Sequence, residues 1–88
     1  MNEDIDNIDL FLKHMINNGY ALSANRFLHK NFAESTNIKQ IYHINISINN
    51  EQITAITGYD AKHKIIQIPK AILQTVQEDI NNALTKYI

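Results

Sequence analysis

The stretch that decides the fold is residues 41–59, which read IYHINISINNEQITAITGY. Isoleucine occupies every second position from Ile44 to Ile48, an Asn-Asn pair follows, and a second arm rich in β-branched residues completes the stretch. This alternation predicts strands with one buried face. Asn49-Asn50 suits a type I′ turn, which needs positive φ at both central residues. We therefore predict an antiparallel β-hairpin.

The predicted turn also fixes which residues face each other. With Asn49-Asn50 at the tip, the numbers of paired residues sum to 99, so that His43 faces Ile56. One face is then predicted to be core: Tyr42, Ile44, Ile46, Ile53 and Ala55. The opposite face collects polar residues: His43, Asn45, Ser47, Gln52 and Thr54. A shift of one residue would exchange the two faces of a strand.

Helical periodicity marks both ends of the chain. Apolar residues at three- and four-residue spacing predict a first helix from Asp4 to Asn18, with Gly19 in the left-handed conformation that ends it. Pro69 suits the first turn of a second long helix, since proline needs no amide partner there. The apolar stripe of this helix is Ile72, Val76, Ile80, Ala83, Leu84, Tyr87 and Ile88.

Residues 20–36 fit two structures. Ala21, Ala24, Leu28 and Phe32 have the spacing of a short helix, which we favour, whereas residues 20–23 also suit a short strand that leaves Gly19. A third strand is predicted at 64–68. The predicted fold is α+β, a single domain over residues 1–88 in the order α-(α)-β-β-β-α, with a three-stranded antiparallel meander and the helices packed on one of its faces.

Composition indicates a globular protein. Hydrophobic residues make up 44% of the 88 residues and charged ones 19%, and there is no cysteine. The sequence begins with acidic and polar residues, unlike a signal peptide, and no apolar run reaches the roughly 20 residues of a membrane helix. We expect a cytoplasmic protein with no membrane association and no disulfides.

The charge is unevenly distributed. Four acidic residues and no basic ones occupy positions 1–9, and the rest of the chain carries a net charge of +3. The acidic residues either favour a helix N-terminus through the helix dipole or form an acidic binding patch, and they are Glu3, Asp4, Asp6 and Asp9. Lysines are spread along the chain and Arg26 is the one arginine, which does not favour a duplex-binding surface.

No motif for catalysis is found. Two glycines cannot build a phosphate-binding or dinucleotide-binding loop. The four histidines, His14, His29, His43 and His63, have no metal-ligand spacing, so we predict neither a metal nor a cofactor. His43 is the histidine best placed to contact a partner or a phosphate. The protein is predicted to be no enzyme.

Three resemblances follow from these segments. The helix–three strands–helix order is similar to the double-stranded-RNA-binding domain, although Pro69-Lys70 opens the last helix with a single lysine. Asn18-Gly19-Tyr20 after an amphipathic helix resembles HicA-type ribonuclease toxins, whose Gly-Ser-His-His strand motif is absent here; His29 is the nearest candidate for its histidine. The acidic helical start and the short meander resemble, in size and organisation, small phage-encoded anti-CRISPR inhibitors.

We therefore expect a non-enzymatic inhibitor or adaptor that binds another protein, such as a phage anti-defence or immunity protein. Its predicted binding residues are the polar sheet face with His43 or, alternatively, the acidic start. A nucleic-acid-binding module is the second expectation and a HicA-like toxin the third. The sheet edges and Tyr87-Ile88 are candidate homodimer contacts.

Overall fold

The computed structural model describes residues 3–5, 7–23, 27–34 and 37–85. The chain is α+β, as predicted, with two helices and an antiparallel sheet. Its elements are β1 (Glu3–Asp4), α1 (Ile8–Asn17), β2 (Ala21–Ser23), β3 (Phe27–Glu34), β4 (Asn37–Asn49), β5 (Gln52–Tyr59), β6 (Ile65–Ile66) and α2 (Lys70–Thr85).

The sheet is wider than the predicted three-stranded meander. Its order is β1-β5-β4-β3-β2, and β6 also pairs with β5. Because β4 pairs with one side of β5 along its length, the short strands β1 and β6 share the other side, one near each end. The predicted strands correspond to β4, β5 and β6, and the sheet extends beyond them by β3 and β2.

Residues 20–36 contain two strands, so the favoured short helix is wrong and the strand alternative for residues 20–23 is correct. Leu28 is fully buried, whereas its neighbours Phe27 and His29 are exposed, which is the two-residue alternation of a strand. The four-residue spacing of Leu28 and Phe32 is compatible with both the helical period of 3.6 residues and the strand period of two. Pairing with β4 along the whole of β3 decides between them.

The first helix begins at Ile8 and not at Asp4. The side chain of Asn7 caps it, because its Oδ1 accepts a hydrogen bond from the amide of Leu10 at 3.2 Å. Asp4 instead belongs to β1, and the amide of the buried Ile5 donates to the carbonyl of Glu51 at 2.9 Å. The predicted end of the helix is confirmed, since Gly19 has a φ of +96°.

The turn of the central hairpin lies one residue beyond the predicted one. Asn50 and Glu51 have φ values of 51° and 60°, as a type I′ turn requires, and Asn49 pairs with Gln52. A β-bulge then leaves Thr54 as an extra residue, since Ile48 pairs with Ile53 and Ser47 pairs with Ala55.

Both helices cover the same face of the sheet, as predicted. Phe11 and Met15 of α1 and Val76 of α2 are fully buried there. They form one hydrophobic core with strand residues that include Leu28, Ile44, Ile46 and Ile53. In the described ranges, neither helix has both the length and the apolar character that a membrane crossing demands.

Candidate binding face

The sheet face opposite the helices carries no described element. On the part of this face that lies between residue 41 of β4 and the bulge at Thr54, strand alternation, read through the ladder pairs, places fourteen residues. We call this the outer face. It consists of Ala21, Ser23, Phe27, His29, Asn31, Ala33, Ile41, His43, Asn45, Ser47, Ala55, Thr57, Tyr59 and Ile65.

The outer face has an unusual composition for an exposed surface. None of its fourteen residues is a lysine, arginine, aspartate or glutamate, although 19% of the chain is charged. Lys30, the one lysine of β3, lies on the helix side of the sheet, where its ammonium group is 5.1 Å from the centres of the Tyr20 and Phe32 rings. Depletion of charge is a property of the centres of protein–protein interfaces.

Large apolar side chains are exposed on this face. Phe27 is 41% exposed, Ile41 42% and Ile65 73%. Among the described residues, these three are the majority of the five large apolar side chains with such exposure, and the other two, Leu10 and Ile16, lie on α1. Phe27 and Ile41 lie toward opposite ends of the face and Ile65 lies on β6, so apolar area is distributed over the face.

Histidines lie at the centre of the outer face. Nδ1 of His43 is 2.6 Å from Oδ1 of Asn31 on the paired strand. An amide oxygen only accepts, so Nδ1 donates and Nε2 of the neutral ring is left as an acceptor. The ring of His43 also stacks on His63, with centroids 5.7 Å apart and planes 22° apart. His29 lies on β3 opposite Asn45, one row away.

This arrangement holds the imidazole of His43 in one orientation. A fixed ring with one acceptor nitrogen can receive a hydrogen bond from a partner, and the stacked pair presents flat apolar surface beside it. In the part of the chain that the structure describes, no three His, Asp or Glu side chains come together as metal ligands. The centre of the outer face therefore exposes hydrogen-bonding groups and flat ring surface.

The predicted binding residues are placed as follows. His43, Asn45 and Ser47 lie on the outer face, as the alternation along β4 predicts. Gln52 pairs with Asn49 beside the turn, and Thr54 is the bulge residue, with its hydroxyl 3.4 Å from the carbonyl oxygen of Ser47. Two of the five predicted residues therefore lie at the end of the hairpin.

The predicted register is wrong along β5, and beyond the bulge at Thr54 the two faces of the strand are exchanged. Ala55, predicted to be core, is exposed on the outer face opposite Ser47. Ile56, predicted to face His43, pairs with Ile46 and packs against the core. The shifted turn changes the pairing by two residues and leaves Ile53 in the core, as predicted. The bulge at Thr54 causes the exchange, because one extra residue reverses the alternation beyond it.

Sequence reasoning missed the β3 half of the face. Phe27, His29 and Asn31 were predicted to belong to a helix or a loop, and Tyr59 to a reversal. The signal was present in the alternation of Leu28, Lys30 and Phe32 with these residues. It was masked by the helical spacing of the same apolar residues.

Of the four acidic residues at the start of the chain, two belong to a strand and not to the N-terminus of a helix. Glu3 and Asp4 form β1, which pairs with Ile53 and Gln52 of β5. Asp9 lies in the first turn of α1, and Asp6 lies outside the described residues.

No protein family model, no curated protein and no solved structure matches this chain significantly.

Proposed function

We propose that this protein acts by binding another protein through the outer face, as a non-enzymatic inhibitor or adaptor. The observation that carries the proposal is the absence of charged residues from fourteen exposed or half-buried positions that include Phe27, Ile41 and Ile65. Burying such a surface costs little desolvation and removes apolar area from water.

The size of the face fits a small interface. Four rows of residues on four neighbouring strands cover roughly 20 Å by 20 Å, or about 400 Å² before side-chain relief is counted. One partner of a standard complex buries about 800 Å², so this face would supply the central part of the contact. The inhibitor role, in the manner of anti-CRISPR proteins, and a cytoplasmic site of action are further parts of the proposal.

A protein partner is favoured over nucleic acid by charge. Nucleic-acid surfaces use lysine and arginine to displace counterions from phosphates, and the outer face has neither. The strands at 21–23 and 27–34 also depart from the helix–three strands–helix order on which the resemblance to the double-stranded-RNA-binding domain rested.

The proposal is tested by placing one charge at the centre of the face. Asn45→Glu should abolish capture of a specific protein from an extract of the native host, because the carboxylate would be buried unpaired in the contact. Gln74→Glu, on the exposed side of α2, is the matched control and should capture the protein normally. Both variants should melt within about 3 °C of the native chain.

Equal capture by both variants would overturn the proposal. Gel shifts across a salt series address the alternative, since a nucleic-acid-binding protein would lose affinity steeply as salt rises. The ribonuclease alternative requires an RNA-cleaving activity that His29→Ala or His43→Ala removes. Either result would replace the proposed function.

A further inference from the structure

Strand β4 extends beyond the end of β5. The ladder between them ends at the pair of His43 with Tyr59. On its other side β4 stays paired with β3, since Ile41 is opposite Ala33. In the described ranges, no strand pairs with Gln40 or Ile41 of β4 on the β5 side. Such an edge is where an extended peptide adds to a sheet.

The chain after β5 turns in a loop held by Asp60. The carboxylate of Asp60 accepts hydrogen bonds from the amides of Lys62 at 2.8 Å and Lys64 at 3.0 Å. Its own amide donates to the carbonyl of Lys64, and the amide of His63 donates to the carbonyl of Asp60, both at 3.0 Å. These four bonds fix the conformation of residues 60–64, which then lead into β6.

A cleft of about 510 Å³ separates this loop from the edge of β4. Its lining includes Gln40 and Ile41 of β4, Lys62 and Lys64 of the loop, and Gln67 after β6. The volume is in the range of known ligand sites, about 300–1,000 Å³. The cleft thus combines a strand edge, apolar side-chain surface and space for a short extended segment.

The charges of the cleft lining favour an acidic ligand. Lys62 and Lys64 are exposed, and Asp60 is the one acidic residue among the described residues of the lining. The Lys64 amide, then the Lys62 amide and the two ammonium groups, hold the pKa of Asp60 below its usual value. Its carboxylate is therefore charged and already hydrogen-bonded, and one positive charge is left in excess.

We propose that this cleft binds an extended peptide segment of a partner, which adds as a strand along the edge of β4 at Gln40 and Ile41 and places an aspartate or glutamate side chain beside Lys62 and Lys64. Backbone hydrogen bonds to β4 supply affinity, and the two ammonium groups select an acidic sequence. The site lies apart from the centre of the outer face and does not depend on the proposed function.

The test uses a displayed library of random peptides about seven residues long, the length of one strand, selected on the complete chain. Peptides enriched in aspartate and glutamate and poor in proline are expected, because proline cannot donate to the ladder. A synthetic copy of the most enriched peptide should shift the amide resonances of Gln40, Ile41, Ala61 and Gln67 in NMR spectra.

Variants then separate charge selection from other effects. Lys62→Gln with Lys64→Gln should weaken binding of that peptide about five- to tenfold, the effect of two exposed ion pairs. Lys13→Gln with Lys70→Gln removes the same charge at exposed helix positions and should leave binding unchanged. Asn45→Glu should also leave it unchanged, which distinguishes this site from the outer face.

Three results would overturn the proposal. The first is a selection with no enrichment above the starting library, and the second is peptides without acidic residues that bind the Lys62/Lys64 double variant as well as the native chain. The third is resonance shifts confined to outer-face residues other than Ile41, which lies on both surfaces.

Discussion

The hydroxyl of Tyr20 donates a 2.8 Å hydrogen bond to Oδ2 of Asp79, and so joins residues 59 positions apart in the chain. Tyr20 follows the end of α1 and is only 2% exposed, while Asp79 lies on α2. The bond therefore links the segment between α1 and β2 to α2. Burial, with the neighbouring carboxylate, raises the pKa of Tyr20 well above its ordinary value.

Tyr20→Phe should lower the free energy of unfolding at neutral pH by about 1–2 kcal/mol, because the half-buried Asp79 loses a hydrogen bond to its charge. The raised pKa of Tyr20 stabilises the fold fully below the unfolded value near 10, and this stability is lost as the pH rises above it. Denaturant unfolding between pH 7 and 11 should therefore show a shallower alkaline decline for Tyr20→Phe. Tyr59→Phe, on the outer face, should keep the native decline.

Lys30→Met should destabilise the protein by about 1 kcal/mol although methionine preserves most of the side-chain volume. The ammonium group donates to the carbonyl of Asn18 at 3.0 Å, near the C-terminus of α1, and lies 5.1 Å from the ring centres of Tyr20 and Phe32. Thermal melts compare it with Lys13→Met, an exposed position on α1. Equal melting temperatures of the two variants would contradict a stabilising role for the Lys30 ammonium.

Gly58→Ala should cost about 1–3 kcal/mol through overpacking. A Cβ at this position would lie 2.6 Å from Cγ1 of Ile68, which belongs to the segment before α2. Ile68→Ala removes that atom, so the double variant should be more stable than the sum of the two single effects predicts. Urea unfolding of the four proteins gives the coupling energy. Additive effects would show that the clash is relieved elsewhere.

Glu51→Gly should stabilise the hairpin by about 0.5–1 kcal/mol. Glu51 has a φ of 60°, and glycine adopts this conformation without the steric cost of a Cβ. The resulting Asn-Gly pair is the favoured sequence of a type I′ turn. Glu34→Gly removes the same charge at a strand position and should destabilise. A lower melting temperature for Glu51→Gly would indicate that the glutamate side chain itself stabilises the fold.

Local patterns in the sequence were sufficient for the elements that local stereochemistry controls. The alternation of Ile44, Ile46 and Ile48 predicted which side of β4 is buried, and all three are core residues. Gly19 marked the end of α1 because glycine takes positive φ without strain. The helical stripe after Pro69 predicted α2 and its buried residues Ile72, Val76, Ile80 and Ala83. Tyr87 and Ile88, predicted to continue the stripe and to be candidate dimer contacts, lie outside the described residues.

The acidic start shows where local preference fails. Asp4 and Glu3 are suitable for the first turn of a helix, yet they pair with β5, and the helix begins after the Asn7 cap. β1 and its partner β5 are about 50 residues apart in the chain. A local sequence pattern contains only one of the two segments and therefore cannot indicate that they pair.

The sequence by itself determined the fold class, the positions of the two helices and the core face of β4, because these follow from side-chain periodicity within one segment. The tertiary structure alone decided that residues 27–34 form a strand, that Asn50-Glu51 is the turn and that Thr54 is a bulge. It thereby assembled the outer face, which brings Phe27, His29 and Asn31 beside His43 and Asn45. The physical reason is that strand pairing and register depend on contacts between distant segments, where one added residue exchanges the two faces of a strand.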